Sequence, residues 1–137
     1  MTRGDDSDGS VLLLTLGYAI LALALIFVTV CATDLNIAQK RLDALADAAA
    51  LAGADGFTLV IDGADVRADL TDEGVRSQAE ALLAEMPGDA SLISAATPDG
   101  LSARVSVTVD WQPPLLSLFM PEGVPLEATG TSRTALR

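Results

Sequence analysis

An unbroken apolar run near the amino terminus constrains this chain more than any other feature. Residues 11–32 read VLLLTLGYAILALALIFVTVCA and include no charged side chain. As an α-helix, such a run would extend for about 33 Å, enough to cross the hydrocarbon core of a bilayer. Core helices of soluble proteins seldom contain so long a stretch without charge. We therefore predict a transmembrane helix over 10–32, preceded by a polar leader over 1–9.

A cleavable secretory signal is the main alternative interpretation of the run. Cleavage after Ala32 would release a soluble chain that begins at Thr33. The run is longer than the about 7–15 apolar residues typical of such signals, and the leader MTRGDDSDG has one basic residue against three aspartates. A membrane anchor is therefore favoured over a cleaved signal.

The helical pattern continues beyond the apolar run as far as Gly53. Alanine and leucine, both strong helix formers, dominate the segment RLDALADAAALAGA over 41–54. Apolar side chains recur at alternating spacings of three and four, the period of one helix face. We call this face the alanine seam; it consists of Leu35, Ala38, Leu42, Leu45, Ala49 and Ala52. We predict a membrane-proximal helical extension over 33–54 whose seam packs closely on another subunit or on the protein's own sheet.

The remaining residues, 55–137, have the pattern of a small α+β domain. The period-2 alternation of LSARVSVTVDW predicts a strand with one wet face, and the turn PDG before it predicts an antiparallel hairpin. Thr71 or Asp72 can cap a second helix. In chain order we expect a strand over 56–62, an acidic loop over 62–74, a helix over 73–86, a hairpin over 91–111, an apolar loop over 112–125 and a last strand over 126–136.

Composition excludes several classes of function. The 19 acidic residues outnumber the 8 basic ones, so the chain lacks the basic footprint that binding to nucleic acid requires. It has no histidine, and its single cysteine, Cys31, lies inside the apolar run, where forming a thiolate is unfavourable. No nucleophile motif or phosphate-binding loop is present. We expect no enzymatic activity, no cofactor and no small-molecule substrate.

The acidic loop raises the question of a calcium site. Its carboxylates do not follow the D-x-D-x-D-G spacing of a calcium loop, and a run of surface charge usually serves only solubility. The carboxylates are those of Asp62, Asp65, Asp69, Asp72 and Glu73. A solvated loop without a metal is the favoured interpretation.

The proline-bounded segment PPLLSLFMP, residues 113–121, is unusually apolar for a loop. Soluble proteins rarely leave such patches open, so a flap packed over the sheet is the favoured interpretation. The alternative is a surface for a protein partner, formed by Leu116, Phe119 and Met120.

The order of these elements resembles the TadE/TadG-like family of tight-adherence (Flp-type) pilus systems, especially its short actinobacterial members. The resemblance is most specific at QKRLDALADAAALAGA, residues 39–54, and extends loosely through the V-x-V strand, PLLSLFMP and the closing ATGTSRTA. It implies a pilin-like fold and a single-pass envelope protein that joins or supports a pilus or pseudopilus. The implied partners are the membrane and other pilus or secretion-system subunits.

The resemblance also bears on processing, in which pilin-like members are cleaved and TadG-like members can remain uncleaved. Pilin-like precursors are cut after a leader glycine, which here would be Gly9, with Ser10 as the new terminus. Leu14 occupies the fifth position after that cut, where pilins typically carry a glutamate, and this favours a minor or assembly role over that of a major subunit. An envelope binding module unrelated to pili, anchored or secreted, is the alternative function.

We expect the amino terminus in the cytoplasm and the residues beyond about 33 outside the cell. The local charges do not support this orientation, because Arg3 on one side opposes Lys40 and Arg41 on the other. A long carboxy-terminal domain, however, can be translocated largely regardless of charge.

Overall fold

The computed structural model describes residues 5–134, without the side chains of residues 5, 6, 65 and 66. Residues 1–4 of the expected leader and 135–137 of the expected domain lie outside this part of the chain. The elements in order are α1 (Asp5–Ala54), β1 (Thr58–Asp62), β2 (Asp65–Asp69), α2 (Asp72–Glu85), β3 (Ser91–Ala96), β4 (Ser102–Trp111) and β5 (Val124–Arg133). A long helix followed by a small antiparallel sheet with one packed helix confirms the predicted α+β class.

Helix α1 is a single element of 50 residues, about 75 Å long. It has no break at Ala32, so the expected transmembrane segment and its extension form one rod. The hydroxyls of Thr15, Thr29 and Thr33 each donate to the carbonyl four residues earlier, at 2.8–2.9 Å. These three hydroxyls are thus satisfied within the helix, as a lipid environment requires.

The main sheet has the antiparallel order β3-β4-β5, with β4 in the centre. The predicted hairpin and the predicted last strand are both present. The period-2 pattern of β4 is confirmed, because Ala103, Val105 and Val107 are fully buried while Arg104 points to solvent. Helix α1 covers β4 and β5, and α2 packs on α1 and β3, so both helices cover the apolar face of the sheet.

Helix α2 confirms the predicted cap and distinguishes its two candidates. Thr71 is the N-cap, and its hydroxyl accepts a hydrogen bond from the backbone N–H of Gly74 at 3.1 Å. The carboxylate of Asp72 instead accepts from the backbone N–H of Thr97 at 2.7 Å, which ties the start of α2 to the end of β3. The side chains of Val75 and Ala79 are fully buried.

The acidic segment 62–74 is not the loop that the sequence predicts. Its first half forms β2, which pairs with β1 in an antiparallel hairpin that turns at Gly63, where φ is +67°. Side chains alternate along β2, so that Ala68 is buried between exposed charged residues. Leu70, just after the strand, is buried as well. The backbone N–H of Leu70 donates to the carbonyl of Gly100 at 3.0 Å, fastening the hairpin to the β3–β4 turn.

Helix α1 ends at Ala54, where the predicted extension over 33–54 also ends. Gly53 lies inside its last turn, and its backbone does not adopt a positive φ. A Cβ atom at this position would lie 2.9 Å from Cγ1 of Val75. The missing side chain therefore allows α2 to approach α1 closely, which is a packing role.

Candidate membrane and interaction surfaces

The amino-terminal part of α1, residues 11–32, is exposed along almost its whole length. We call it the apolar half, and of its side chains only Phe27 and Cys31 are even half-buried. Within residues 5–134, α1 is the one helix long and apolar enough to cross a membrane. In water, its row of exposed leucine, isoleucine and valine side chains would be strongly unfavourable.

The carboxy-terminal part of α1, residues 33–54, is covered on one side; we call it the domain half. Every residue of the alanine seam is at least partly covered: Leu42 and Ala49 are buried, and Leu35, Ala38, Leu45 and Ala52 are half-buried. The covering surface is the protein's own sheet and α2. The seam prediction omitted Ala46 and Ala50, which are fully buried, although Leu42, Ala46 and Ala50 follow one another at a spacing of four, which was a signal.

The closest approach of helix and sheet occurs at Gly130 in β5. A Cβ atom there would collide with the carbonyl group of Ala46 and lie 2.7 Å from the backbone nitrogen of Asp47. The backbone of α1 therefore rests directly on the backbone of β5, which only a glycine permits. A glycine inside a strand pattern often marks such an approach, so the sequence held a signal for it.

Two polar contacts tie the domain half to strands β4 and β5. The indole Nε1–H of Trp111 donates to Oδ2 of Asp34 at 2.8 Å, and the side-chain amide of Gln39 donates to the carbonyl of Glu127 at 3.1 Å. Asp34 is the first charged residue after the apolar half. The end of β4 therefore lies beside the point where α1 leaves its apolar half. Sequence reasoning missed this contact, because no pattern relates residues 77 apart.

The loop between β4 and β5, residues 112–123, is not the flap over the sheet that the sequence favours. Leu115, Leu118 and Phe119 are 79%, 89% and 80% exposed. Of the three residues suggested as partner contacts, Phe119 and Met120 are exposed and Leu116 is half-buried. The sheet face is already covered by α1 and α2, which leaves these side chains no place on it.

The suggested processing site, Gly9 and Ser10, lies within the first turns of α1, and both residues are exposed. A Cβ atom at Gly9 would meet nothing within 4 Å. The glycine therefore has no packing role that would explain it, and cleavage after it stays a prediction.

The opposite end of the domain has an open cleft between the β1–β2 hairpin and the β3–β4 turn. Its polar lining includes Arg67, Asp69, Asp99 and Arg133. Hydrogen bonds from the backbone N–H groups of Leu101 and Ser102 lower the pKa of Asp99, assisted by the Ser102 hydroxyl and by Arg133 at 3.8 Å. These contacts make Asp99 a turn-forming residue.

Among the described residues, no group of three or more acidic, cysteine or histidine side chains is arranged to hold a metal ion. Asp62 and Asp69 belong to opposite ends of the β1–β2 hairpin, and Asp72 is occupied by the backbone of Thr97. The acidic residues of segment 62–74 are thus distributed along the hairpin and the cap of α2.

Comparisons with known proteins identify no relative of this chain. No family model matches the chain, and searches of the curated proteins and of the solved structures find no match.

Proposed function

We propose that this protein is a non-enzymatic structural or assembly component of a Flp/Tad-type pilus or a related secretion system, anchored in the cell membrane by one helix. The resemblance at residues 39–54 motivates the proposal. The observation that carries it is the continuity of α1, whose apolar half is bare while its domain half forms part of the core.

This continuity suits a subunit that has to be positioned by its anchor. A domain on a flexible linker would rotate independently of its membrane segment. Here Ala46, Ala49 and Ala50 are fully buried against the domain, so moving the helix moves the sheet. The bare apolar half can pack in lipid, or against the helices of neighbouring subunits when a fibre is assembled.

The proposed topology has the amino terminus in the cytoplasm and the domain outside. Carbonate washing of membranes should leave the chain in the pellet, because the uncharged apolar half has a large transfer free energy into lipid. A soluble species that begins at Thr33 would instead indicate a cleaved signal. Protease added to intact protoplasts should digest the domain, whereas protection of the domain would reverse the orientation.

The function itself is tested by deleting the gene in its native host. We expect surface fibres, or secretion through the related machine, to be lost and then restored by the full-length chain. A complementing chain with Gly9→Ala tests processing separately, because that change meets no neighbour in the structure. The chain in sheared fibres would indicate a fibre subunit, and its restriction to membranes an assembly component. Unchanged fibres and secretion, with the chain still anchored, would favour the envelope binding module instead.

A further inference from the structure

Loop 112–123 lies at the end of the domain that faces the apolar half of α1. Trp111 and Val124, which flank the loop, form the last rung of the β4–β5 ladder. The indole of Trp111 is held by Asp34 at 2.8 Å, and Asp34 is only two residues, about 3 Å along the helix, beyond the apolar half. The loop continues from this rung in the direction away from the rest of the sheet.

The surface of the loop is apolar. From Pro113 to Pro121 it carries no charge, and Leu115, Leu118 and Phe119 are each more than three-quarters exposed. Soluble domains rarely leave such a contiguous group of large apolar side chains in water. The adjoining charged residues, Asp110 and Glu122, are acidic and would be repelled by anionic headgroups, so any contact with a bilayer has to be made by the apolar side chains.

The loop has a defined conformation. The carbonyl of Leu116 accepts hydrogen bonds from the backbone N–H groups of Phe119 and Met120, both at 2.9 Å. Leu115 has a φ of +66°, in the left-handed region that favours glycine. Such a conformation persists only where the surroundings hold it, and it is often associated with function. Here it accompanies a leucine side chain directed into solvent.

One face of the last turns of the apolar half is less exposed than the rest. Phe27 and Cys31, four residues apart on one helix face, are half-buried, whereas the other side chains of 11–32 are exposed. They share this face with Asp34 and Ala38, which the domain covers. Loop 112–123 follows Trp111 directly along the chain, so it begins beside the contact with Asp34 on this face.

We propose that loop 112–123 is a second membrane contact, in which Leu115, Leu118, Phe119 and Met120 insert into the outer interface of the bilayer beside α1. This inference rests on the membrane anchoring in the proposed function. Trp111 would then lie at headgroup depth, where tryptophan is enriched in membrane proteins. Two contacts, helix and loop, would fix the tilt and rotation of the domain on the membrane, whereas a single helix leaves rotation about its axis free.

The test uses the full chain in phosphatidylcholine nanodiscs with one copy in each disc and no other protein. In a Cys31→Ala background, an environment-sensitive fluorophore is attached to Leu118→Cys, with Ile61→Cys in β1 as the matched control. Both positions are exposed and apolar, but Ile61 belongs to the hairpin at the opposite end of the domain. We expect blue-shifted emission and quenching by shallow spin-labelled lipids at 118, and water-like emission without quenching at 61.

Each other outcome has a defined meaning. Water-like emission at 118 in a chain that resists carbonate would overturn the loop contact and leave the anchor intact; the loop would then be a candidate for a protein partner. Blue-shifted emission without lipid quenching would mean that the loop packs on the protein itself, which also overturns the proposal. A chain that carbonate extracts would instead overturn the proposed anchoring.

A second measurement needs no substitution. Trp111 is the only tryptophan of the chain, so its fluorescence in vesicles with brominated lipids reports its own depth. We expect bromines near the headgroups to quench Trp111 more strongly than bromines near the bilayer centre. Absence of quenching at any depth would place the end of β4 away from the membrane and would contradict the proposal.

Discussion

The two halves of α1 are equally helical and differ in the size of their side chains. The apolar half is rich in leucine, isoleucine and valine, all exposed, whereas the domain half buries mainly alanines. Lipid is a fluid that adapts to any side chain, so large apolar groups maximise the transfer free energy. A folded sheet is a fixed surface, and close packing on it requires small residues. The contrast in residue size therefore separates the part of the helix that the domain leaves exposed from the part that packs on the sheet.

The largest effect is expected where the domain half contacts backbone. In Gly130→Ala, the added Cβ would collide with the Ala46 carbonyl, and neither backbone can yield without separating helix from sheet. We expect a loss of about 3 kcal/mol or more in the free energy of unfolding, at the upper end of overpacking effects. Urea unfolding in detergent, followed by Trp111 fluorescence, measures it.

The matched change in the apolar half is Gly17→Ala. A Cβ atom at Gly17 meets nothing within 4 Å, and alanine is the better helix former. The unfolding of the domain should therefore not change. If Gly130→Ala were tolerated as well as Gly17→Ala, the two halves would not differ in packing as described.

A second pair of variants compares two faces within the domain half. Ala49 is fully buried in the seam, whereas Ala44 is exposed. Replacing Ala49 with leucine should destabilise the domain, or disrupt its assembly, by ~1–3 kcal/mol through overpacking. The same change at Ala44 should be nearly silent, because leucine is also a strong helix former. The denaturant midpoints of the two variants measure this difference in stability. Equal midpoints would show that the seam is only a helix-forming sequence.

The boundary between the halves should depend on Trp111 and Asp34. Their hydrogen bond is partly exposed, so we expect Asp34→Ala and Trp111→Phe each to cost about 1 kcal/mol. The double variant should cost less than the sum, because both changes remove the same contact. Circular dichroism is the readout, since Trp111→Phe removes the only indole. Strict additivity would show that the hydrogen bond contributes nothing to stability.

Lys40→Ala, which removes only an exposed ion pair, should change stability by less than about 0.5 kcal/mol.

The features that could be predicted from sequence are those encoded by local periodicity. The apolar run, the alternation of β4 and the cap at Thr71 each depend on neighbouring residues, and all three are present in the structure. Strand β1 falls within the strand predicted over 56–62, but its partner β2 was missed because charged residues obscured the alternation that ends at Leu70.

The candidate surfaces were less predictable, because they depend on contacts between distant parts of the chain. The seam could be located by its spacing, but nothing local shows that β5 reaches Ala46 through Gly130. The exposure of loop 112–123 follows from the two helices already covering the sheet, a competition that only the assembled fold reveals.

A small effect that depends on pH is expected at the far end of the domain, away from both halves of α1. Hydrogen bonds from the Leu101 and Ser102 backbone lower the pKa of Asp99 below its ordinary value of 3.8 in the folded protein. A carboxyl group with a lowered folded pKa stabilises the fold at pH values above its unfolded pKa, and this contribution disappears as the pH falls through the folded pKa.

The denaturant midpoint of the parent should therefore exceed that of Asp99→Asn at neutral pH, and the gap should close in acid below 3.8. The two proteins differ only at residue 99, so the difference between them isolates Asp99. Because the side chain is exposed, the gap should be smaller than the effects at Gly130 or Ala49. A gap that persists unchanged into acid would show that the shape of the turn matters and the charge of Asp99 does not.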